Sequence, residues 1–215
     1  MQQERAVRTR QALIHSAAES FEQHGYARAR LAGISTHAGV SLGALHFHFE
    51  NKSAVASAVE MAAATSLRRA AWAAQRPGMN ALQRLVQISH ALADRLHHDV
   101  VARAGLRLSS DPGRSSQVDL RREWQVCVRQ LLARAREEDL LAEHVDPTAA
   151  LATILAATTG FGLLGRKDAR WVSPPSLTGF WQLVIPCLAA PALGQAVTVT
   201  PNGAAAEPGF LAATA

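Results

Sequence analysis

Three groupings in the 215-residue sequence hold residue types that could do chemistry. His46-Phe47-His48 and His97-His98 offer imidazoles, and Cys127 with His90 or His144 offers a thiol and a base. Gly160-Phe-Gly-Leu-Leu-Gly165 spells the GxGxxG glycine pattern. None of the three completes a reaction centre. Adjacent or alternate histidines on a helix point in different directions, and no carboxylate or cysteine fills out a ligand set, so no metal is expected. A nucleophilic cysteine needs a base oriented by a third group, and no such spacing accompanies Cys127. A dinucleotide fingerprint needs a preceding strand and an acidic residue about twenty positions on, where this chain carries an apolar run around Val184 and Ile185. Small residues for close helix packing account better for the glycines. An enzyme and a bound cofactor are therefore not expected, and both Cys127 and Cys187 read as buried, inert thiols.

A fourth grouping suits binding. In Arg30-Leu-Ala-Gly-Ile-Ser-Thr-His-Ala-Gly-Val-Ser-Leu-Gly-Ala-Leu-His-Phe-His-Phe49, Leu31, Ile34 and Ala38 share one face of a short helix. Gly39 permits a sharp turn, Val40 plugs the corner, and Ser41 caps a second helix. The first turn of that helix carries Leu42, Gly43 and Ala44, small enough for close approach to base edges and phosphates, with His46 one turn later on the face of Leu42. Leu45 and Phe49 turn inward, and Asn51 caps a further helix from Lys52. This is the pattern of a helix-turn-helix reading head for double-stranded DNA, although spacing alone fits a plain helical hairpin equally well.

The elements around it read as helical throughout, with breaks at Gly25, Pro77-Gly78, Asp111-Pro112-Gly113, Asp146-Pro147 and Ser173-Pro174-Pro175. Leu13, Ile14, Ala17, Ala18 and Phe21 mark a first amphipathic helix ended by a glycine cap at Gly25 before Tyr26. Leu82, Leu85, Val86, Ser89, Leu92, Ala93 and Leu96 mark another. Trp124, Cys127, Val128, Leu131, Leu132 and Ala135 mark a third, running toward Leu140. The fold class is all-α. A helix-turn-helix domain is expected over 1–52, a helical ligand-binding and dimerisation domain over 53–190, and a disordered tail over 191–215, where Ala, Gly, Pro and Thr dominate.

The composition is 48% apolar and 18% charged, which supports a packed core. The net charge of +5 favours polyanions, but residues 1–52 hold only six basic against four acidic side chains, so charge does not single out the head. Two cysteines and an N-terminus without an apolar stretch point to a reducing cytoplasm. Pro147–Gly165 is uncharged and approaches bilayer-spanning length, yet Ala, Thr and Gly dominate it, so a helix buried in a protein interface is expected and no membrane.

The helix ending at Gly25-Tyr26, then His37-Ala-Gly-Val-Ser-Leu-Gly-Ala-Leu-His-Phe-His-Phe49 and Asn51-Lys52, resembles the DNA-binding domain of the TetR family. Arg103-Ala-Gly-Leu-Arg-Leu108, a loop, and Trp124 opening a long helix resemble, more narrowly, the γ-butyrolactone autoregulator receptors of antibiotic-producing bacteria. That likeness implies a homodimeric repressor on a palindromic operator, released by a small apolar effector and controlling antibiotic biosynthesis. The DNA-contacting residues it implies are Arg30, Ser41, Leu42, Gly43, Ala44, His46, Phe47, His48 and Lys52. Trp124 matches the cavity tryptophan of the group, and Leu85, Ser89, Val128, Thr158 and Phe161 are chosen as its neighbours by helical face.

Departures fall on the reading face. Such receptors usually carry a Lys where this chain has Leu42, a Tyr where it has His46, and a Thr where it has Arg30. Loss of the Lys removes one phosphate contact, about one unit of salt-dependence slope, which Arg30 could restore. Arg5, Arg8 and Arg10 form a basic arm suited to the backbone or minor groove. Two alternatives stay open: a pseudo-receptor of the same fold answering to an antibiotic or intermediate, toward which the pI of 10.2 leans because the resemblance implies that basic members of the group are of that kind, and a small helical enzyme or carrier.

Overall fold

Helix α1 spans Gln2–Arg28, with a kink at Gly25, whose φ of 76° is open to glycine at little cost. The expected glycine stop is thus a bend, after which one more turn carries Tyr26. The computed structural model describes residues 2–191 and 197–202, and among these every regular element is helical. The helices after α1 are α2 (Leu31–His37), α3 (Leu42–His48), α4 (Lys52–Ala73), α5 (Ala81–His98) and α6 (Val100–Leu108). They are followed by α7 (Leu120–Glu137), α8 (Pro147–Leu164), a 3-10 turn (Ala169–Val172) and α9 (Pro174–Leu188).

Polar caps start several of these helices. Asp99 accepts from the amides of Val101 and Ala102, and Asp146 from those of Thr148 and Ala149. Prolines at the first positions of α8 and α9 need no intrahelical partner there.

The chain divides into two compact units, residues 1–68 with 98–122, and residues 69–97 with 123–215. The boundary expected after Lys52 lies elsewhere because α6 packs on the reading head. Ala104 and Leu108 of α6 join Leu13, Ala17, Phe21, Ile34, Leu45, Phe49, Val55 and Val59 in one buried cluster. A Cβ on Gly105 would collide with that of Ala63 on α4, so only glycine lets these two helices meet so closely. Arg107 donates to the Glu22 carbonyl near the Gly25 kink at 2.6 Å. The Arg103–Leu108 segment is therefore the underside of the head.

One charged pair is sealed inside the same unit. Arg114, from the loop after α6, reaches Glu60 of α4 at 3.2 Å, with both side chains almost wholly buried. Its guanidinium also stands 4.4 Å over the Tyr26 ring.

In the second unit, α5, α7, α8 and α9 share a core built on Leu82, Leu85, Val86, Val128, Leu132, Ile154, Trp181 and Ile185. Part of the expected disordered tail is ordered here. Val197 is buried, and two glutamines one turn apart on α5 each clasp the extended segment through both ends of the amide. Gln83 donates to the Thr198 carbonyl and accepts from its amide, at 2.9 and 2.7 Å. Gln87 donates to the Thr200 carbonyl and accepts from the Asn202 amide, both at 2.8 Å. Residues 192–196 and 203–215, the rest of that tail, lie outside the described residues.

His90 completes the strap, its Nε2 lying 2.8 Å from the Val199 carbonyl. A carbonyl only accepts, so Nε2 carries the proton in the neutral ring. Burial pulls this imidazole below the ordinary value of 6.5, and the Val199 bond pulls weakly the other way. As pH falls below 6.5 the unfolded chain takes up the proton first, so the stabilising contribution of neutral His90 is complete above that pH. It declines in more acid solution, by at most one proton's slope, until the folded ring protonates too. Urea unfolding at pH 7.5 and 5.5 should show a smaller stability gap between the natural chain and His90→Gln at the lower pH. An equal gap at both would refute the assignment.

Candidate nucleic-acid interface and effector core

The reading head forms as the residue pattern dictates. Ile34 is buried, Leu31, Ala38 and Val40 pack on the same cluster, and Gly39 takes a φ of 70° in the turn between α2 and α3. The Ser41 hydroxyl accepts from the Ala44 amide at 3.1 Å, and Asn51 Oδ1 from the Ala54 amide at 2.9 Å. Leu45 and Phe49 point into the core. Ser16 ties α1 to α2 by donating to the Ile34 carbonyl at 2.8 Å.

That frame leaves Arg30, Ser41, Leu42, Gly43, His46 and Phe47 exposed, with Ala44 and His48 half-buried. Arg30 occupies the N-cap of α2 without capping it. Lys52 is held differently. Its ammonium donates to the Ala27 carbonyl at 3.0 Å and lies 4.6 Å over the Tyr26 ring, and burial lowers its pKa from the usual lysine value. It braces α4 against the end of α1, leaving fewer protons for a phosphate than a free lysine has. The expected basic arm is helical, since Arg5, Arg8 and Arg10 ride the first turns of α1. Arg10 is 5.2 Å over the Phe49 ring.

The six effector-core candidates fall into two neighbouring groups. Leu85 and Val128 are fully buried in the main core of the second unit, and Trp124 packs against it. The Trp124 indole donates to Thr158 at 2.9 Å, while Thr158 passes its own proton to the Ile154 carbonyl. Phe161 sits instead with Ala93, Val172 and Leu177. A run of rings connects it onward: Phe161 meets Phe180 edge-on at 5.6 Å, and Phe180 meets Trp181 at 4.8 Å.

Trp181, absent from the sequence expectation, is the largest fully buried side chain and donates to Ser89 at 2.7 Å. Its signal was the stripe Leu177, Trp181, Ile185 and Leu188 on α9, spaced by three and four. Ser89 spends its proton on the Val86 carbonyl, so its hydroxyl is largely committed within the protein.

Helix α8 is largely open within one chain. Only Ala150 and Ile154 are buried in the single chain, while Leu163 and Leu164 are exposed, and on α9 Leu183 is exposed as well. A Cβ on Gly160 or Gly162 would meet nothing, so within one chain close packing explains only Gly165, which abuts Val172. Cys187 is exposed on the same open side of α9 as Leu183, correcting the expectation of two buried thiols. Cys127 is half-buried, and burial raises its thiol pKa, which disfavours the reactive thiolate.

Comparison with known proteins agrees with this geometry. Residues 13–59 match the family described as bacterial regulatory proteins, tetR family. The A-factor receptor protein of Streptomyces griseus is 30% identical over 206 residues, which is 94% of this chain and 70% of that protein. Among solved structures, a γ-butyrolactone receptor (ArpA-like protein) superposes with a TM-score of 0.78 at 27% identity, covering 91% of this chain and 94% of that one. CprB from Streptomyces coelicolor, solved in complex with its biological operator sequence, gives 0.76 at 27% identity, covering 90% and 94%. With the capped α2–turn–α3 unit in place and a relative that matches 94% of this chain and 70% of its own length, the chain belongs to the TetR family of bacterial regulatory proteins.

Proposed function

We propose that this protein is a ligand-responsive transcriptional repressor. It binds a roughly palindromic operator as a homodimer in the cytoplasm and is released by a small, mostly apolar effector such as a γ-butyrolactone, controlling antibiotic biosynthesis genes. The observation that carries the reading is the exposed face of α3, set on a rigid capped frame. The likeness to the A-factor receptor and to an operator-bound relative supports it. The uncharged outward sides of α8 and α9 suit a two-fold interface between copies, which would set two recognition helices about 34–36 Å apart.

The effector would act at Trp124. Shifting the population from mostly bound to mostly released requires about 5.5 kcal/mol of differential affinity between the two states. A second reading, a pseudo-receptor for an antibiotic or intermediate, is favoured by the indole N–H of Trp124 being already held by Thr158. A lactone carbonyl would have to displace that hydroxyl.

Footprinting on the gene's own upstream region, with and without culture extract, tests both levels. Protection that extract removes is expected, with Trp124→Ala still protecting the site and no longer released. Absence of protection at every salt concentration would overturn the DNA-binding reading. Release of Trp124→Ala as easily as the natural chain would overturn the effector site.

A further inference from the structure

The outermost side chain of α3 is Phe47, which is 83% exposed, more than any other large hydrophobic residue described. At about 3.6 residues per turn it lies about 180° around the helix from the mean direction of the inward pair Leu45 and Phe49. Gly43 and Ala44, four and three residues earlier, flank it on the same side and are too small to hold the helix away from a surface. The ring is also braced, for His48 meets it edge-on with centroids 5.3 Å apart and planes at 84°. An apolar ring held at the crown of the reading helix does not serve the fold.

We propose that Phe47 reads the C5-methyl group of a thymine at the centre of each half-site. This rests on the DNA-binding reading above and adds the base that the helix selects. A phenyl ring offers no donor or acceptor, and the thymine methyl is the one apolar group that the base edges display in the major groove. Cytosine at the same place would set an amino group, deprived of water, against the ring.

The full-length protein is used to select half-sites from a random-sequence duplex pool, and each thymine of the selected site is then replaced by deoxyuridine, which deletes the methyl and keeps every hydrogen-bonding group. One position per half-site should weaken binding about fourfold, and the pair of symmetric positions about fifteenfold, the effect of burying one methyl per half-site. Phe47→Ala should bind more weakly and lose the distinction between thymine and uracil at that position alone. Its exposure means that the fold should be unaffected, which circular dichroism checks. A selected site at which no uracil replacement matters, or at which Phe47→Ala keeps the full methyl dependence, overturns the proposal and leaves the repressor reading standing. Failure to select any sequence overturns both.

Discussion

Glu60→Gln is expected to destabilise the protein by about 3–5 kcal/mol, the cost of leaving a buried charge without its partner. Arg114 is almost wholly enclosed, and its remaining contact of note is the face of Tyr26. The ring quadrupole attracts the cation by only about 0.5–2 kcal/mol, too little to replace a carboxylate. Glu60 Oε1 and Arg114 Nε and Nη1 have no protein partner, so the pair is under-bonded even in the natural chain. Replacing both members with methionine should therefore recover most of the loss, as volume-matched apolar substitutes for buried pairs do. The midpoint of thermal unfolding should fall by on the order of 10 °C in Glu60→Gln. A shift under about 2 °C would show that the pair is solvated in solution.

The second large effect is expected at Trp181→Ala, again about 3–5 kcal/mol, now from a cavity in the main core of the second unit. The indole is fully buried, contacts Phe180 and binds Ser89 through its N–H. Trp181→Phe separates the contributions, since it removes the hydrogen bond, about 1 kcal/mol, and leaves a much smaller cavity than Ala does. Denaturant midpoints for the two variants should differ accordingly, and equal midpoints would sink the packing account. Trp124 is half-buried, so Trp124→Ala should cost less stability than Trp181→Ala while changing effector release more.

Much of the fold was legible because its signals are local. Ser41, Asn51 and Asp146 sit where caps must sit, and each accepts the amide bonds its position calls for. The inward residues of α3 followed from spacing alone. What stayed hidden depends on contacts distant in sequence. Gly105 and Arg107 resembled a family motif, but only the crossing of α6 against α1 and α4 gives them a physical task. The strap at 197–202 was missed because its specification lies on α5, in Gln83, Gln87 and His90. The alternation of Val197-Thr198-Val199-Thr200 is too short to be read without them. The bond from Lys52 to the Ala27 carbonyl and its place over the Tyr26 ring likewise join residues far apart in sequence. In the second unit, helical faces anticipated that Leu85 and Val128 are buried, yet could not foresee that the Ser89 and Thr158 hydroxyls are each engaged by an indole.

The unit that carries the reading head is discontinuous along the chain, and this has a meaning during synthesis. Translation delivers roughly 5–20 residues per second, so α1 to α4 leave the ribosome seconds before Ala104, Leu108 and Arg114 exist to close their underside. Until then Glu60 has no counter-ion and the surface around Ala63 is bare. A nascent chain that ends before Arg114 is thus expected to hold its first four helices less firmly than the finished unit does.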